Sequence, residues 1–193
     1  GEEERLTVAA PVSPDSLAQL LALGSHARPI VVDTRSRGAY LRGHIRGAIS
    51  VPRERLSRSL FLLPPRERLL LMVGRDGVAA AEGARFLAGH GRARVTWLDG
   101  SPPDLPRNLL RPGGEVNRAW EPAPLLREFI ARLPRSGEAI DLACGSGREA
   151  AFLALHRPRV LGVDILADAL LQARALAYAA GVAQIAADCR AGR

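Results

Sequence analysis

The sequence predicts an α/β protein with two parallel-sheet domains, one after the other, in a chain of 193 residues. Short apolar runs typical of buried strands alternate with helical patterns in both halves of the chain, and this alternation indicates parallel sheets. Two stretches dense in Pro and Gly, residues 101–106 and 111–114, separate the two series and mark a domain boundary. We therefore predict a first domain at residues 1–104, a linker at 105–118 and a second domain at 119–193.

The composition is that of a globular protein. Apolar residues make up 47% and charged residues 24% of the chain, which is ordinary for folded domains. No apolar run approaches the roughly 18 residues of a membrane helix, and no leader pattern is visible. The two cysteines, Cys144 and Cys189, indicate neither a metal site nor a disulfide framework. We therefore expect a cytoplasmic protein with no metal and no membrane partner.

The basic residues are all arginines, and the net charge is +7. A basic surface can attract nucleic acid, but these arginines are scattered, with no run of five and no aromatic residues among them. An Arg- and Ala-rich composition is also typical of a GC-rich bacterial genome. Nucleic acid is consequently not favoured as a partner.

The first domain is predicted to begin with a capped helix and to contain three strands. Ser13 offers a helix cap ahead of an apolar repeat, and Gly24 ends that helix. Compact apolar runs predict buried parallel strands, and these lie at residues 29–33, 69–73 and 93–98. The Ala-rich segment 78–89 predicts a helix between the second and third strands.

An ordered set of motifs between residues 31 and 100 resembles the rhodanese family. The motifs are Val31-Val32-Asp33 with Arg35, then Tyr40, Gly43-His44-Ile45 with Gly47-Ala48, Val51-Pro52, and Val95 with Leu98-Asp99-Gly100. The resemblance implies a small parallel-sheet fold with a cysteine directly after the strand at 69–73, where loop amides and a helix N-terminus stabilise its thiolate or persulfide. That position is Gly74, and no cysteine precedes Cys144. Because sulfur transfer needs a nucleophilic sulfur, we predict a rhodanese-like domain that is catalytically inactive.

The loop after the second strand is predicted to be a degenerate rhodanese loop. Its residues are Gly74, Arg75, Asp76, Gly77, Val78 and Ala79. Its N–H groups could still hold an anion, with Arg75 either assisting or, as we favour, solvated. Elsewhere in the motif we expect Asp33 and Arg35 to form a structural pair and His44 to fix a turn.

The second domain is predicted to follow the order helix, strand, helix, strand, helix, strand. Apolar residues at helical spacing predict its first helix, with Pro124 in the first turn. The helices are predicted at residues 125–133, 149–155 and 168–180, and the strands at 139–143, 159–164 and 182–187. The first strand is predicted to be buried and to end in a glycine turn that opens a helix. This layout is typical of a site for a nucleoside-type cofactor.

Three motifs at the ends of these strands resemble the N-terminal half of a class I S-adenosylmethionine-dependent methyltransferase. They are Asp141-Leu142-Ala143-Cys144-Gly145-Ser146-Gly147, Val163-Asp164-Ile165 and Ala187-Asp188-Cys189. The resemblance implies a partial Rossmann-like sheet, S-adenosylmethionine as cofactor, and a small molecule or an unknown group as methyl acceptor. A NAD-binding domain would have a third glycine near Glu149 or Ala150, and that glycine is absent.

Nine residues are predicted to bind the cofactor. They are Asp141, Ala143, Cys144, Gly145, Gly147, Asp164, Ile165, Asp188 and Cys189. The glycines let the backbone approach a ligand closely, and Asp164 lies 19 residues after the first of them, near the interval of about 20 for an acid that binds ribose hydroxyls. The resemblance implies that Asp141 orients the turn or meets the cofactor's ammonium, that Ile165 packs on the adenine, and that Asp188 accepts from the adenine amino group. Cys144 is expected to be a small turn residue, and no catalytic residue is predicted.

The predicted second domain has three of the seven strands that this class of methyltransferase implies. Three explanations are open, and we favour the first, in which the chain is a fragment of a longer protein. In the second, the first domain or a second copy of the chain covers the free sheet edge at strand 139–143. In the third, the second domain is a degenerate remnant. Two functions stay open. One is a methyltransferase in its complete form, with the first domain regulating it or recruiting the acceptor. The other is a non-catalytic scaffold or anion-binding module.

Overall fold

The computed structural model describes residues 9–24, 27–114, 117–156 and 159–182, together with the backbone of residues 185–188. The chain forms two compact units, Gly1–Ala119 and Trp120–Arg193. Both contain parallel strands that alternate with helices, so the predicted α/β fold class is confirmed.

The described residues of unit 1 form a four-stranded parallel sheet, a two-stranded antiparallel ladder and three α-helices. The helices are α1 (Pro14–Leu21), α2 (Arg37–Arg42) and α3 (Gly77–Gly89). The strands are β1 (Ile30–Asp33), β2 (His44–Ile45), β3 (Ile49–Ser50), β4 (Leu70–Val73), β5 (Val95–Trp97) and β6 (Leu110–Arg111). Short 3-10 turns lie at Arg53–Arg58, Leu60–Leu62, Pro102–Asp104 and Arg107–Leu109. The parallel sheet has the order β3-β1-β4-β5, and β2 pairs with β6.

The central strands of unit 1 are buried on both faces, as their continuous apolar sequences predict. Successive residues of β1 enter different cores: Val32 packs in a cluster with Ala84 of α3, whereas Val31 packs in a cluster with Leu17 of α1. Because alternate residues of a strand point to opposite faces, helices cover both sides of this sheet. Ser13 caps α1 as predicted.

Most of the predicted linker at residues 105–118 belongs to unit 1. Leu105 is buried in one of the two cores, β6 pairs with β2, and the Asn117 side chain donates to the Ala48 carbonyl at 3.1 Å. The Pro and Gly residues interrupt regular structure here, but Leu105, β6 and Asn117 anchor the segment to the domain. The first unit therefore extends from the predicted boundary at residue 104 to Ala119.

In the part of unit 2 that the structure describes, a three-stranded parallel sheet and three α-helices follow one another in the predicted order. The helices are α4 (Pro124–Phe129), which continues as a 3-10 turn at Ile130–Arg132, α5 (Arg148–Ala154) and α6 (Ala167–Ala179). The strands are β7 (Ala139–Leu142), β8 (Val160–Val163) and β9 (Ile185–Asp188). Their order is β7-β8-β9. Within the described ranges no helix has both the length and the apolarity that crossing a membrane requires.

Strand β7 differs from the prediction of a buried strand. Ile140 and Leu142 are 59% and 75% exposed, whereas Val160, the neighbour of Ala139 on the other face of the sheet, is buried. Helices α5 and α6 pack on the face that carries Val160. The opposite face of β7 is open in the part of the chain that the structure describes, because an apolar strand sequence does not specify how many of its faces are covered.

Candidate functional site

The loop after β4 is the first of two candidate sites. It starts at Gly74 and leads into α3, whose N-cap is Asp76. The carboxylate of Asp76 accepts a hydrogen bond from the Ala79 N–H at 2.8 Å. This amide, together with the guanidinium of Arg75, lowers the pKa of Asp76. The carboxylate therefore takes an N–H group of the helix N-terminus that an external anion would otherwise use.

Gly74 lies where the loop leaves no room for a side chain. An added Cβ would be 2.6 Å from the Ala80 nitrogen and 2.9 Å from the Ala79 carbonyl carbon. Both distances are well below van der Waals contact, and the atoms are backbone atoms that cannot swing aside. Residues 1–143 contain no cysteine, so the loop has neither a thiol nor space for one without a backbone shift.

The other residues of this loop face solvent or close the loop. Arg75 is exposed and contacts Asp76 at 3.3 Å, which agrees with a solvated arginine, and Val78 is exposed as well. A Cβ on Gly77 would clash with the carboxylate of Asp99. Gly77 thus allows the chain after β5 to approach the start of α3 closely.

Asp33, Arg35 and His44 have structural roles. The Arg35 guanidinium donates to the Asp33 carboxylate at 2.6 Å and to the Gly43 carbonyl at 2.7 Å, and the two side chains of the pair are 6% and 1% exposed. The ring of His44 stacks on Tyr40, with 3.8 Å between the centroids, and its Nδ1 donates to the Tyr40 carbonyl at 3.1 Å. The predicted structural pair is therefore confirmed, and His44 fixes the local turn.

The glycine turn between β7 and α5 is the second candidate site. The Cys144 N–H donates to the Val163 carbonyl at 3.0 Å, and the Gly147 N–H donates to the Cys144 carbonyl at 2.8 Å. Three residues of the turn are left-handed: Ala143 with φ 57°, Gly145 with φ 54° and Gly147 with φ 77°. For Ala143, which has a Cβ, this conformation costs about 1–2 kcal/mol. Backbone strain of this kind is concentrated at ligand sites.

The two glycines of the turn have different surroundings. An added Cβ on Gly145 would have no atom of the described residues within 4 Å, apart from those of its own chain neighbours. At Gly147, in contrast, an added Cβ would lie 2.6 Å from the Cβ of Ala173 on α6. Gly147 therefore permits the close packing of α5 on α6, and the open space that a ligand could take is beside Gly145.

Asp164, at the end of β8, connects that strand to the turn. Its Oδ2 accepts from the Gly145 N–H at 2.8 Å, and its Oδ1 accepts from the Leu166 N–H at 2.9 Å. The Leu166 and Gly145 amides lower the pKa of Asp164, so the group is ionised at neutral pH. The Ile165 amide also contributes to this lowered pKa. A carboxylate offers about four acceptor positions, so at least about one is left for a ligand.

Asp141, on β7, gives the turn a second carboxylate. Its Oδ2 is enclosed and has no hydrogen-bond partner among the described residues. Burial and then the charge of Glu149 raise the pKa of Asp141, while the Ala150 amide opposes this shift. Burial, followed by the charges of Asp141 and Asp164, also raises the pKa of the Cys144 thiol. The site therefore combines the acidic side chains of Asp141, Asp164 and Glu149 with a neutral thiol. This combination favours a cationic ligand group over an anionic one.

Glu149 is a residue of this site that the sequence analysis did not assign. It lies in the first turn of α5, and its Oε1 accepts from the Ala123 N–H at 3.1 Å. An acid in the first helical turn after a glycine turn was visible in the sequence. Its partner was not, because the two residues are 26 positions apart.

The remaining predicted residues lie at the same edge of the sheet or outside the described residues. Ile165 follows Asp164 and is 80% exposed. Asp188 is the last residue of β9 and pairs in register with Val163, so the carboxyl ends of the strands meet at one edge. The side chain of Asp188 and the whole of Cys189 lie outside the described residues. Among the side chains that the structure describes, no cluster of three or more His, Cys, Asp or Glu could hold a metal ion.

Residues 13–103 match the family described as the rhodanese-like domain. The match falls entirely within unit 1, whose parallel sheet carries the motifs that suggested this family. The chain therefore contains a rhodanese-like domain, and that part of the prediction is confirmed.

The chain is also similar to individual proteins. An uncharacterized protein of Schizosaccharomyces pombe is 28% identical over 141 residues, which cover 63% of this chain and 41% of that protein. The chain thus spans less than half of the length of this relative. A rhodanese-like domain protein from Staphylococcus aureus is 18% identical, with a TM-score of 0.49, and the match covers 55% of this chain and all of that one. The SSP1007 protein of Staphylococcus saprophyticus is 14% identical, with a TM-score of 0.47, over 53% of this chain and 99% of that one.

Proposed function

We propose that unit 2 is the cofactor-binding part of an S-adenosylmethionine-dependent methyltransferase, and that the rhodanese-like domain of unit 1 regulates it or recruits its acceptor without transferring sulfur. The observation that carries the proposal is the hydrogen bond between Asp164 and the Gly145 amide. It joins an acid at the end of one parallel strand to the glycine turn at the end of its neighbour. This is the edge at which parallel α/β sheets bind nucleoside ligands.

The residues around the turn fit S-adenosylmethionine in charge and in shape. The enclosed Oδ2 of Asp141 has no hydrogen-bond partner among the residues that the structure describes, and the cofactor's ammonium would supply one. Ribose hydroxyls can donate to the remaining acceptor positions of Asp164. The space beside Gly145 is open, and the exposed side chain of Ile165 offers an apolar surface to an adenine ring. Asp188 ends the neighbouring strand and is the proposed acceptor for the adenine amino group.

The charges of the turn favour this cofactor over a dinucleotide. A pyrophosphate would bind at the N-terminus of the helix that follows the glycine turn. Here Glu149 lies in the first turn of that helix, and its charge acts on Asp141. Two carboxylates at this position repel a phosphate but attract an ammonium or sulfonium group. When bound, S-adenosylmethionine would supply an activated methyl group.

The structure of the loop after β4 supports the proposal that the rhodanese-like domain of unit 1 is catalytically inactive. Gly74 follows β4 directly, at the position where the family resemblance implies the nucleophilic cysteine, and residues 1–143 contain no cysteine. The Ala79 and Ala80 backbone already fills the volume that a side chain at Gly74 would need. Since sulfur transfer requires a sulfur nucleophile, unit 1 is proposed to act through binding alone.

A second candidate function is a scaffold in which neither unit is catalytic. The thiol-free loop at Gly74 and the open face beside Ile140 and Leu142 favour it. The anion-binding version of this candidate is less favoured, because the Asp76 carboxylate already accepts from the Ala79 amide. Methyl transfer from labelled cofactor to an acceptor in a cell extract, catalysed by the protein, would exclude the scaffold.

Calorimetric titration of the chain with S-adenosylmethionine tests the binding step. We expect saturable heat with this cofactor and none with NAD. Asp164→Ala should weaken binding at least about tenfold, because a charge-assisted hydrogen bond is lost and the turn is released. Asp168→Ala is the matched control, since Asp168 is an exposed acid in the first turn of α6. No heat from the wild-type chain at millimolar cofactor would overturn the proposal.

A further inference from the structure

A side chain from another helix holds the segment that leads into α4. Ala123 is the N-cap residue of α4 and has no capping side chain of its own. Its N–H donates to Oε1 of Glu149 at 3.1 Å. Unit 2 begins at Trp120, so this bond is made within the first residues of the unit. We call residues 120–123 the pre-helical segment.

Glu149 supplies a hydrogen-bond acceptor for the N-cap amide of α4, because the sequence of α4 itself lacks one. In a capping box, a Glu or Gln at the third helical position accepts from the N–H of the N-cap residue. The third position of α4 is Leu126, which has no acceptor. Glu149 makes this hydrogen bond from α5 instead. Its charge then lies near the N-termini of both helices, where a negative charge is favourable.

The three carboxylates around the glycine turn each hold a different part of the backbone. Asp164 accepts from the Gly145 amide and so fixes the turn. Asp141 interacts with the Ala150 amide at the start of α5. Glu149, the third, fixes the pre-helical segment. Each of the three acids thus accepts from a different backbone segment.

We propose that Glu149 is a positioning residue of the candidate cofactor site, which fixes the pre-helical segment to α5 and thereby preorganises the surroundings of the glycine turn. Its effect on ligand binding rests on the proposed function, whereas the fixing of the segment does not. In this role Glu149 acts through the Ala123 amide. A segment that is ordered before binding need not be ordered by the ligand, so affinity increases.

Hydrogen–deuterium exchange of the ligand-free chain tests the fixing of the segment. Glu149→Ala should speed exchange in the pre-helical segment and α4 about tenfold or more, and leave α6 unchanged. Glu149→Gln keeps an acceptor oxygen without the charge and should stay close to the wild type. Unchanged exchange in Glu149→Ala would overturn the proposal. So would equal effects of the Ala and Gln variants, because the charge and not the hydrogen bond would then be responsible.

A substitution at Ala123, the hydrogen-bond donor, gives a second variant in case Glu149→Ala destabilises the whole of unit 2. Ala123 has φ −52° and ψ 138°, which suit proline, so Ala123→Pro removes the N–H while keeping the backbone geometry. If the hydrogen bond carries the effect, Glu149→Ala should change α4 exchange little further when Ala123→Pro is already present. An equal effect of Glu149→Ala in both backgrounds would overturn the proposal.

Titration of the same variants with S-adenosylmethionine separates this proposal from the proposed function. Glu149→Ala should weaken binding about tenfold. Glu149→Gln keeps the hydrogen bond but removes a charge that attracts the ammonium group, so it should weaken binding by less. If the wild type binds and Glu149→Ala binds equally well, the positioning role is refuted while the cofactor assignment stands. If the wild type fails to bind but the exchange pattern holds, the cofactor assignment fails while the fixing of the segment stands.

Discussion

The Asp164 carboxylate accepts a hydrogen bond from the Gly145 N–H at 2.8 Å, across 19 residues of sequence. The bond ties the end of β8 to the left-handed turn after β7, and it leaves acceptor positions on the same carboxylate free for a ligand. A residue that the sequence suggested as a ligand-binding acid is therefore also a support of the turn. Substituting Asp164 therefore changes both roles at once.

Cofactor affinity should increase with pH in the acid range because of Asp141. Burial and Glu149 raise the pKa of this carboxyl group, and a cationic ligand group beside it favours the ionised form. Binding should therefore strengthen as the pH rises through the pKa of Asp141 and then level off. Titrations between about pH 4 and pH 8 measure this. A rise that persists in Asp141→Asn would assign the effect to another group.

The stability of the ligand-free protein should respond to Asp141 in the opposite direction. Because the folded-state pKa is raised, the contribution of Asp141 to stability is fully present below its unfolded-state pKa and is lost as the pH rises through the folded-state pKa. Asp141→Asn should consequently gain stability relative to the wild type as the pH increases. Urea unfolding of unit 2 at several pH values measures this difference, and a difference independent of pH would contradict the assigned shift.

Gly147→Ala should destabilise unit 2 by about 2–5 kcal/mol. The overlap with Ala173 costs about 1–3 kcal/mol, and the left-handed backbone adds about 1–2 kcal/mol. Gly145→Ala is the matched control, since Gly145 is left-handed but has open space beside it; it should lose only the backbone part. Ala173→Gly should recover part of the loss in the Gly147→Ala chain. Equal losses at both glycines in urea unfolding would show that packing is not the cause.

Gly74→Cys should not produce a sulfurtransferase. The new Cβ would meet backbone atoms of Ala79 and Ala80, so we expect a loss of about 1–3 kcal/mol in the stability of unit 1 and only background activity with thiosulfate. Gly24→Cys adds the same side chain where nothing lies within 4 Å, and should leave stability unchanged. Turnover by the wild type would refute the inactive assignment. Turnover by a Gly74→Cys chain as stable as the wild type would refute the claim that the loop has no room for a side chain at this position.

Arg35→Met should destabilise unit 1 by about 3–5 kcal/mol, because it leaves the buried Asp33 carboxylate without its partner. The control is the exposed pair of Arg53 and Glu82, whose side chains are 53% and 45% exposed at a separation of 2.8 Å. Arg53→Met should cost at most about 1 kcal/mol. Thermal or urea unfolding measures the stability of the Arg35→Met and Arg53→Met variants. Similar losses of stability would mean that burial does not strengthen the Asp33–Arg35 pair.

The elements of the fold could be predicted because their signals are local. Continuous apolar sequences gave the buried strands of unit 1, and Ser13 marked the start of α1. The pair of Asp33 and Arg35 was predictable because its members are two residues apart. The interval between Gly145 and Asp164 likewise follows from one strand–helix–strand repeat.

The remaining features depend on contacts between distant residues. Leu105 belongs to the core although Pro and Gly surround it in the sequence, and so the first unit extends beyond the predicted boundary. The packing role of Gly147 requires Ala173 on another helix, and Glu149 finds its partner at Ala123. The exposure of Ile140 depends on which faces of the sheet the helices cover. No local pattern encodes such distances.

The central claim is that S-adenosylmethionine binds at the glycine turn of unit 2. A crystal structure of the chain with this cofactor tests it most directly. We predict that the ribose hydroxyls donate to the Asp164 carboxylate at about 2.5–3.0 Å. The ammonium group should lie beside Oδ2 of Asp141, which has no hydrogen-bond partner among the described residues of the free protein. Density for the cofactor away from the turn, or no density at saturating concentration, would contradict the claim.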